Sequence, residues 1–98
     1  MLFALICNDK PDHLAVRTET RPDHLAYLKD LNSKGALKFA GPFVDADGKP
    51  SGTLAVIEAE DRAAAEAIAA SDPYAKAGLF ARIEIRAWNW VVNNPAAG

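Results

Sequence analysis

The succession of apolar and polar segments predicts an α+β domain with the element order β-α-β-β-α-β. Three observations carry that reading. Leu2 to Cys7 is a short continuous apolar run, a dense turn signal sits at Asp45 to Pro50, and two helical segments each end at a glycine or a proline. The first strand suits burial on both faces and is ended by Asn8-Asp9. Residues 9 to 21 are polar, with two possible helix starts, and Pro22 is well placed to open a helix to about Lys34, with Gly35 as its stop. Leu37 to Val44 resumes strand character around Gly41-Pro42, and a proline that cannot donate to a ladder confines that strand to an edge or a bulge.

Thr53 to Ala59 completes a hairpin with the preceding strand. Asp61 can cap an alanine-rich helix over Arg62 to Ala70, which must stop at Pro73. A further helical turn covers Tyr74 to Ala77, with Gly78 as terminator. In the last strand Ala81, Ile83, Ile85 and Ala87 alternate with Arg82, Glu84, Arg86 and Trp88. The order is that of the ferredoxin-like split unit, in which both crossover helices lie on one face of a four-stranded antiparallel sheet. A single domain over 1–92 and a frayed tail over 93–98 are expected.

The other sheet face lacks a helix, yet Leu2, Ala4 and Ile6 of the first strand and part of the third-strand set Leu54, Val56 and Ile57 are apolar there. Water rarely contacts so large an apolar patch on a monomer, so the expectation is a symmetric homodimer with its sheets face to face. The alternative is that the carboxyl-terminal segment with Trp88 and Trp90 folds over the sheet.

Half of the 98 residues are apolar and 24% are charged, with 11 basic against 13 acidic side chains and a net charge of −2. No basic cluster offers a phosphate backbone a footprint, so nucleic-acid binding is not expected. The amino-terminal run is shorter than a signal-peptide core and nothing reaches membrane-spanning length, which makes the cytoplasm the expected compartment. One cysteine, Cys7, permits neither an internal disulfide nor a cysteine-based zinc cluster, and its phase with Phe3 and Leu5 marks it as a core thiol.

Chemistry is suggested at His24. On a helical wheel with His24 at zero, Leu31 falls near about −20°, Leu28 near about +40°, Tyr27 near about −60° and Leu25 near about +100°. The imidazole therefore faces the sheet and needs a hydrogen-bond partner. Asp72, in Ser71-Asp72-Pro73-Tyr74, is the candidate, because its helix lies beside that of His24 on the same sheet face. Aspartate before proline is also an N-cap signature. The pair is thus read either as an acid/base dyad or as a capped helix beside a satisfied core histidine.

Arg21 and Arg17 flank the entrance to the His24 helix and either hold a substrate carboxylate or enolate or are solvated. Tyr74 either lines a pocket or packs, and Ser51 is a candidate polar contact with no base beside it in sequence. His13 reads as solvent-exposed, and two histidines without an acidic cluster call for no metal.

Arg21-Pro22-Asp23-His24-Leu25, Gly41-Pro42-Phe43, Ser51-Gly52-Thr53, Ser71-Asp72-Pro73-Tyr74 and Ala77-Gly78-Leu79-Phe80 together resemble the YCII-related (YciI-like) proteins, over a span from Leu2 to about Trp88. The resemblance implies the dimeric α+β barrel fold and an active-site pair at His24 and Asp72. One relative acts as a dehydrochlorinase on a chlorinated hydroxyhydroquinone, and related barrels include lactone isomerases and cofactor-free monooxygenases. The expected function is cofactor-independent acid/base chemistry on a small cyclic or aromatic metabolite, of a dehydrochlorinase, isomerase or lyase kind. The alternatives are a noncatalytic module binding a small molecule and a plain dimerisation domain.

Overall fold

A computed structural model describes residues 1–95. Its elements are β1 (Leu2–Asp9), α1 (Leu14–Ser33), β2 (Leu37–Val44), β3 (Pro50–Glu58), α2 (Arg62–Ser71), α3 (Pro73–Lys76) and β4 (Phe80–Trp88). The four strands form one antiparallel sheet in the order β2-β3-β1-β4, the ferredoxin-like arrangement expected. Pro42 lies on β2, an edge strand, where a residue without an N–H is tolerated. Of the tail expected over 93–98, residues 96–98 lie outside the described residues.

The sheet alternates its side chains as a pleat requires. Phe3, Leu5 and Cys7 of β1 join Ala55 and Ile57 of β3 in a core sealed by Ala65 and Ala69 of α2. Alanines at that contact let the helix backbone approach the sheet closely. Asp61 caps α2 as expected, its side chain accepting from the Ala64 N–H at 2.8 Å. The β2-β3 turn is held by Asp45, whose carboxylate accepts from the backbone N–H groups of Asp47 and Lys49 at 2.8 and 3.0 Å, while Gly48 takes a φ of 78°. At Gly52 a Cβ would collide with the Cys7 carbonyl oxygen on the neighbouring strand, so the close pairing of β1 and β3 there requires glycine.

One element departs from expectation. The first helix does not begin at Pro22 but at Leu14, and it runs for 20 residues with Pro22 in its interior. An internal proline removes one hydrogen bond and crowds the preceding turn, at a cost of about 3 kcal/mol. Tertiary anchors on both sides of Pro22 offset that cost: Arg17 binds Asp9 and Thr53, and His24 binds Asp72. Farther along, the Tyr27 hydroxyl donates to the Ile68 carbonyl of α2 at 2.7 Å.

On the helix-free face, Ala4 of β1 and Val56 of β3 are buried, Val56 at 2% exposure. On that face the end of β4 and the residue two beyond it bring two indole rings toward β2. Trp88 and Trp90 meet the Phe39 ring of β2 edge-on at 5.8 and 5.1 Å between centroids. The cover is incomplete, for Phe39 and Trp88 each remain 38% exposed.

Candidate active site

The buried stripe of α1 is Arg17, His24 and Leu31, at a spacing of seven residues. Two of the three are polar, and each is satisfied. His24 Nδ1 lies 2.9 Å from Asp72 Oδ1 and 3.1 Å from Oδ2. A carboxylate can only accept, so Nδ1 carries the proton and Nε2 is the lone-pair nitrogen of the neutral ring. Among the described residues no hydrogen bond reaches Nε2, yet none of their side-chain nitrogens or oxygens is buried without a partner. Nε2 is therefore not sealed off from solvent, and His24 is one of the residues that line a cavity.

Asp72 serves two elements at once. It ends α2 and is the N-cap of α3, where Oδ1 also accepts from the Tyr74 N–H at 2.9 Å. Capping and contact with His24 are therefore compatible, through the same oxygen. The next side chain but one, Tyr74, stacks on the imidazole with centroids 4.0 Å apart and planes 18° apart. That ring is 1% exposed, so it packs against the histidine and fixes its plane.

Arg17 is not the solvated arginine that its polar neighbourhood suggests. Its Nε and Nη2 donate to the two carboxylate oxygens of Asp9 at 2.7 and 2.9 Å, and Nη2 donates again to Thr53 Oγ1 at 2.9 Å. The guanidinium carbon also lies 4.5 Å from the Tyr74 ring centroid. Burial opposes its charge, but the Asp9 carboxylate more than compensates and holds the guanidinium pKa above its usual value. Burial pushes the Tyr74 phenol up, against the pull of Arg17 and Arg21. Burial, aided by the Asp72 charge, pushes the Cys7 thiol up to about 12, so Cys7 is the inert core thiol expected.

The cavity has a volume of about 330 Å³ and lies between α1 and the β2-β3 edge of the sheet. Arg17, Arg21, His24 and Tyr74 line it together with apolar Leu25 and Leu28. Short side chains at Ala40 and Pro42 leave the strand side of that space empty. Its size suits one substituted ring. Ser51 is not part of it and borders a neighbouring polar cleft with Asp9, Lys10, His13 and Lys49. His13 is partly exposed, and its Nδ1–H donates to the Pro11 carbonyl at 2.7 Å in an exposed contact. Among the described residues no group of three or more His, Cys, Asp or Glu is placed to hold a metal ion.

Sequence reasoning missed Asp9 and Thr53, the two residues that hold Arg17. The available signal was period two: Asp9 continues the Phe3, Leu5, Cys7 alternation, and Thr53 continues that of Ala55 and Ile57.

A family model described as the YCII-related domain matches residues 1–89. Protein YciI of Escherichia coli O6:H1 is 35% identical over 92 residues, which span 88% of this chain and 94% of that protein. An uncharacterized protein of Haemophilus influenzae is 34% identical over 93 residues, with 88% and 94% of the two chains covered. Among solved structures, the 5-chloro-2-hydroxyhydroquinone dehydrochlorinase TftG of Burkholderia phenoliruptrix, in complex with 2,5-dihydroxybenzoquinone, matches with a TM-score of 0.85 at 33% identity, over 96% of this chain and 99% of that one. An antibiotic biosynthesis monooxygenase, at 16% identity and a TM-score of 0.54 over 93% and 99% of the two chains, shares the fold alone. A domain match that runs from the first strand through the last, with relatives a third identical along nearly their whole length, means that the chain belongs to the YCII-related family.

Proposed function

We propose that this protein catalyses proton transfer on a small cyclic or aromatic metabolite without a cofactor, with His24 as general base and acid and Asp72 as the group that orients it. The observation that carries this is the committed Nδ1, 2.9 Å from Asp72, on a histidine that lines a cavity of about 330 Å³ and whose Nε2 is left free for a ligand. Nε2 takes a proton from a C–H or O–H of the ligand, and the bond's electron pair stays on the ligand as an enolate; on a chlorinated ring that pair forms a new double bond as the C–Cl bond breaks and chloride leaves with the C–Cl electron pair. The Asp72 carboxylate stabilises the imidazolium, which then returns the proton to the ligand or to water. Such a group contributes about 10² to 10⁴-fold to rate. TftG, named as a dehydrochlorinase and solved with 2,5-dihydroxybenzoquinone, supports chlorinated hydroxyhydroquinones and hydroxyquinones as the first substrates to test.

The test is turnover of those compounds and of small lactones by the wild type, His24→Asn and Asp72→Asn. Loss in both variants with an unchanged circular dichroism spectrum is expected. Full turnover by His24→Asn sinks the proposal, and saturable binding without turnover in the wild type leaves the noncatalytic binding module.

The reading also takes the protein to work as a homodimer through the helix-free face. What supports it is the apolar surface left there, with Phe39 and Trp88 each 38% exposed, on a chain too short to bury more than about two-thirds of its unfolded surface.

A further inference from the structure

Acidic side chains outnumber basic ones in this chain, 13 to 11, yet among the described residues the wall of the cavity carries Arg17, Arg21 and His24 and no carboxylate. Both nearby acids stand behind the group they serve. Asp9 is spent on Arg17, and Asp72 on His24 and the Tyr74 N–H. The Asp9 pair is buried, its side chains 6% and 8% exposed, so the Arg17 charge is neutralised where it sits. Arg21 differs. It is exposed, lines the cavity one helical turn from Arg17, and among the described residues it forms no ion pair or hydrogen bond. Its charge nonetheless reaches inward, for it is one of the groups that lower the Tyr74 phenol's pKa against the effect of burial. The facing wall of Ala40, Gly41, Pro42 and Pro50 brings no countercharge.

We infer that Arg21 sets the specificity of this cavity, and that the site selects a small cyclic or aromatic anion, a carboxylate or an enolate, over its neutral counterpart. An uncompensated cation beside a partly desolvated cavity attracts an anion far more strongly than the same cation in open solvent. Arg17 lines the same cavity, but the Asp9 carboxylate already neutralises its charge, so it offers a ligand hydrogen-bond donors and not a net charge. The inference rests on the cavity's being the ligand site of the proposed function, and it does not require His24 to move a proton.

The experiment is calorimetric titration of the full chain with matched pairs: hydroxyquinones against their methyl ethers, and cyclic or aromatic carboxylates against their amides. The expected result is that the wild type binds the anion of a pair about tenfold more tightly, and less so at high salt. Arg21→Gln should erase the difference without weakening the neutral member, and Arg21→Lys should keep most of it. For a pair member that is turned over, Arg21→Gln should raise KM and leave kcat. Equal binding of both members by the wild type, equal weakening of both in Arg21→Gln, or no binding in any pair overturns the inference. Anion preference without turnover would fail the catalytic reading alone, and His24-dependent turnover without anion preference would fail this one alone.

Discussion

Replacing Asp72 by asparagine separates its two roles. An asparagine oxygen can still accept from the Tyr74 N–H and cap α3, but a neutral amide no longer stabilises an imidazolium on His24. Under the proposed mechanism turnover should fall about 10²-fold or more with little change in Tm, whereas Asp72→Ala should add about 1 kcal/mol of destabilisation from the lost cap. Arg17 behaves differently because its pair is buried. Arg17→Met strands the Asp9 carboxylate, and urea denaturation should register a loss of about 3 to 5 kcal/mol, much of it recovered in the double variant Arg17→Met with Asp9→Leu. Cys7 supplies a test by pH. Its folded pKa is raised from 9.0 to about 12, so below pH 9 both states hold a neutral thiol, and between those values the unfolded chain alone ionises. The unfolded state then binds fewer protons, and stability falls as pH rises, by at most about 1.4 kcal/mol per pH unit. Cys7→Ala should show a shallower loss than the wild type in denaturation curves taken at pH 8 and pH 10.5; an equal slope would mean that the thiol is not buried as described.

At the level of elements, α1 is the instructive case. A helix whose sheet-facing stripe contains an arginine and a histidine gives no apolar periodicity before Pro22, so its first turns cannot be told from a polar loop by pattern. The helix forms there because Arg17 finds Asp9 on β1 and Thr53 on β3. Pro22→Ala restores a backbone donor in the interior of an already anchored helix. A stability gain of about 1 to 3 kcal/mol is expected, read from urea midpoints at constant m-value. By contrast β2, β3 and α2 were legible, because a proline, an aspartate-rich turn and an alanine-rich run each act through neighbours in the chain.

For the whole molecule, the surface at issue is the helix-free sheet face, on which the proposed homodimer rests. Trp88 and Trp90 reach across to Phe39 and cover part of it, as the alternative reading of the sequence anticipated, but two large rings stay more than a third exposed. In the proposed homodimer a second copy meets that surface. Light scattering should give twice the monomer mass for the wild type and the monomer mass for Phe39→Glu, whose carboxylate would be buried unpaired at the interface. A wild-type monomer would leave the tryptophan segment as the whole cover.

The sequence by itself determined the order of elements, the confinement of β2 to an edge or a bulge, the inward turn of His24 and its candidate partner Asp72, since each depends on spacing along one helix or on the chemistry of one residue in a strand. Tertiary structure alone decided the length of α1, the burial of Arg17, the absence of Ser51 from the cavity and the reach of the tryptophans to β2. Those features rest on contacts between segments far apart in the chain. The chemistry of a polar side chain does not say whether its partner is water or a carboxylate on a distant strand; only the packing of helix on sheet does.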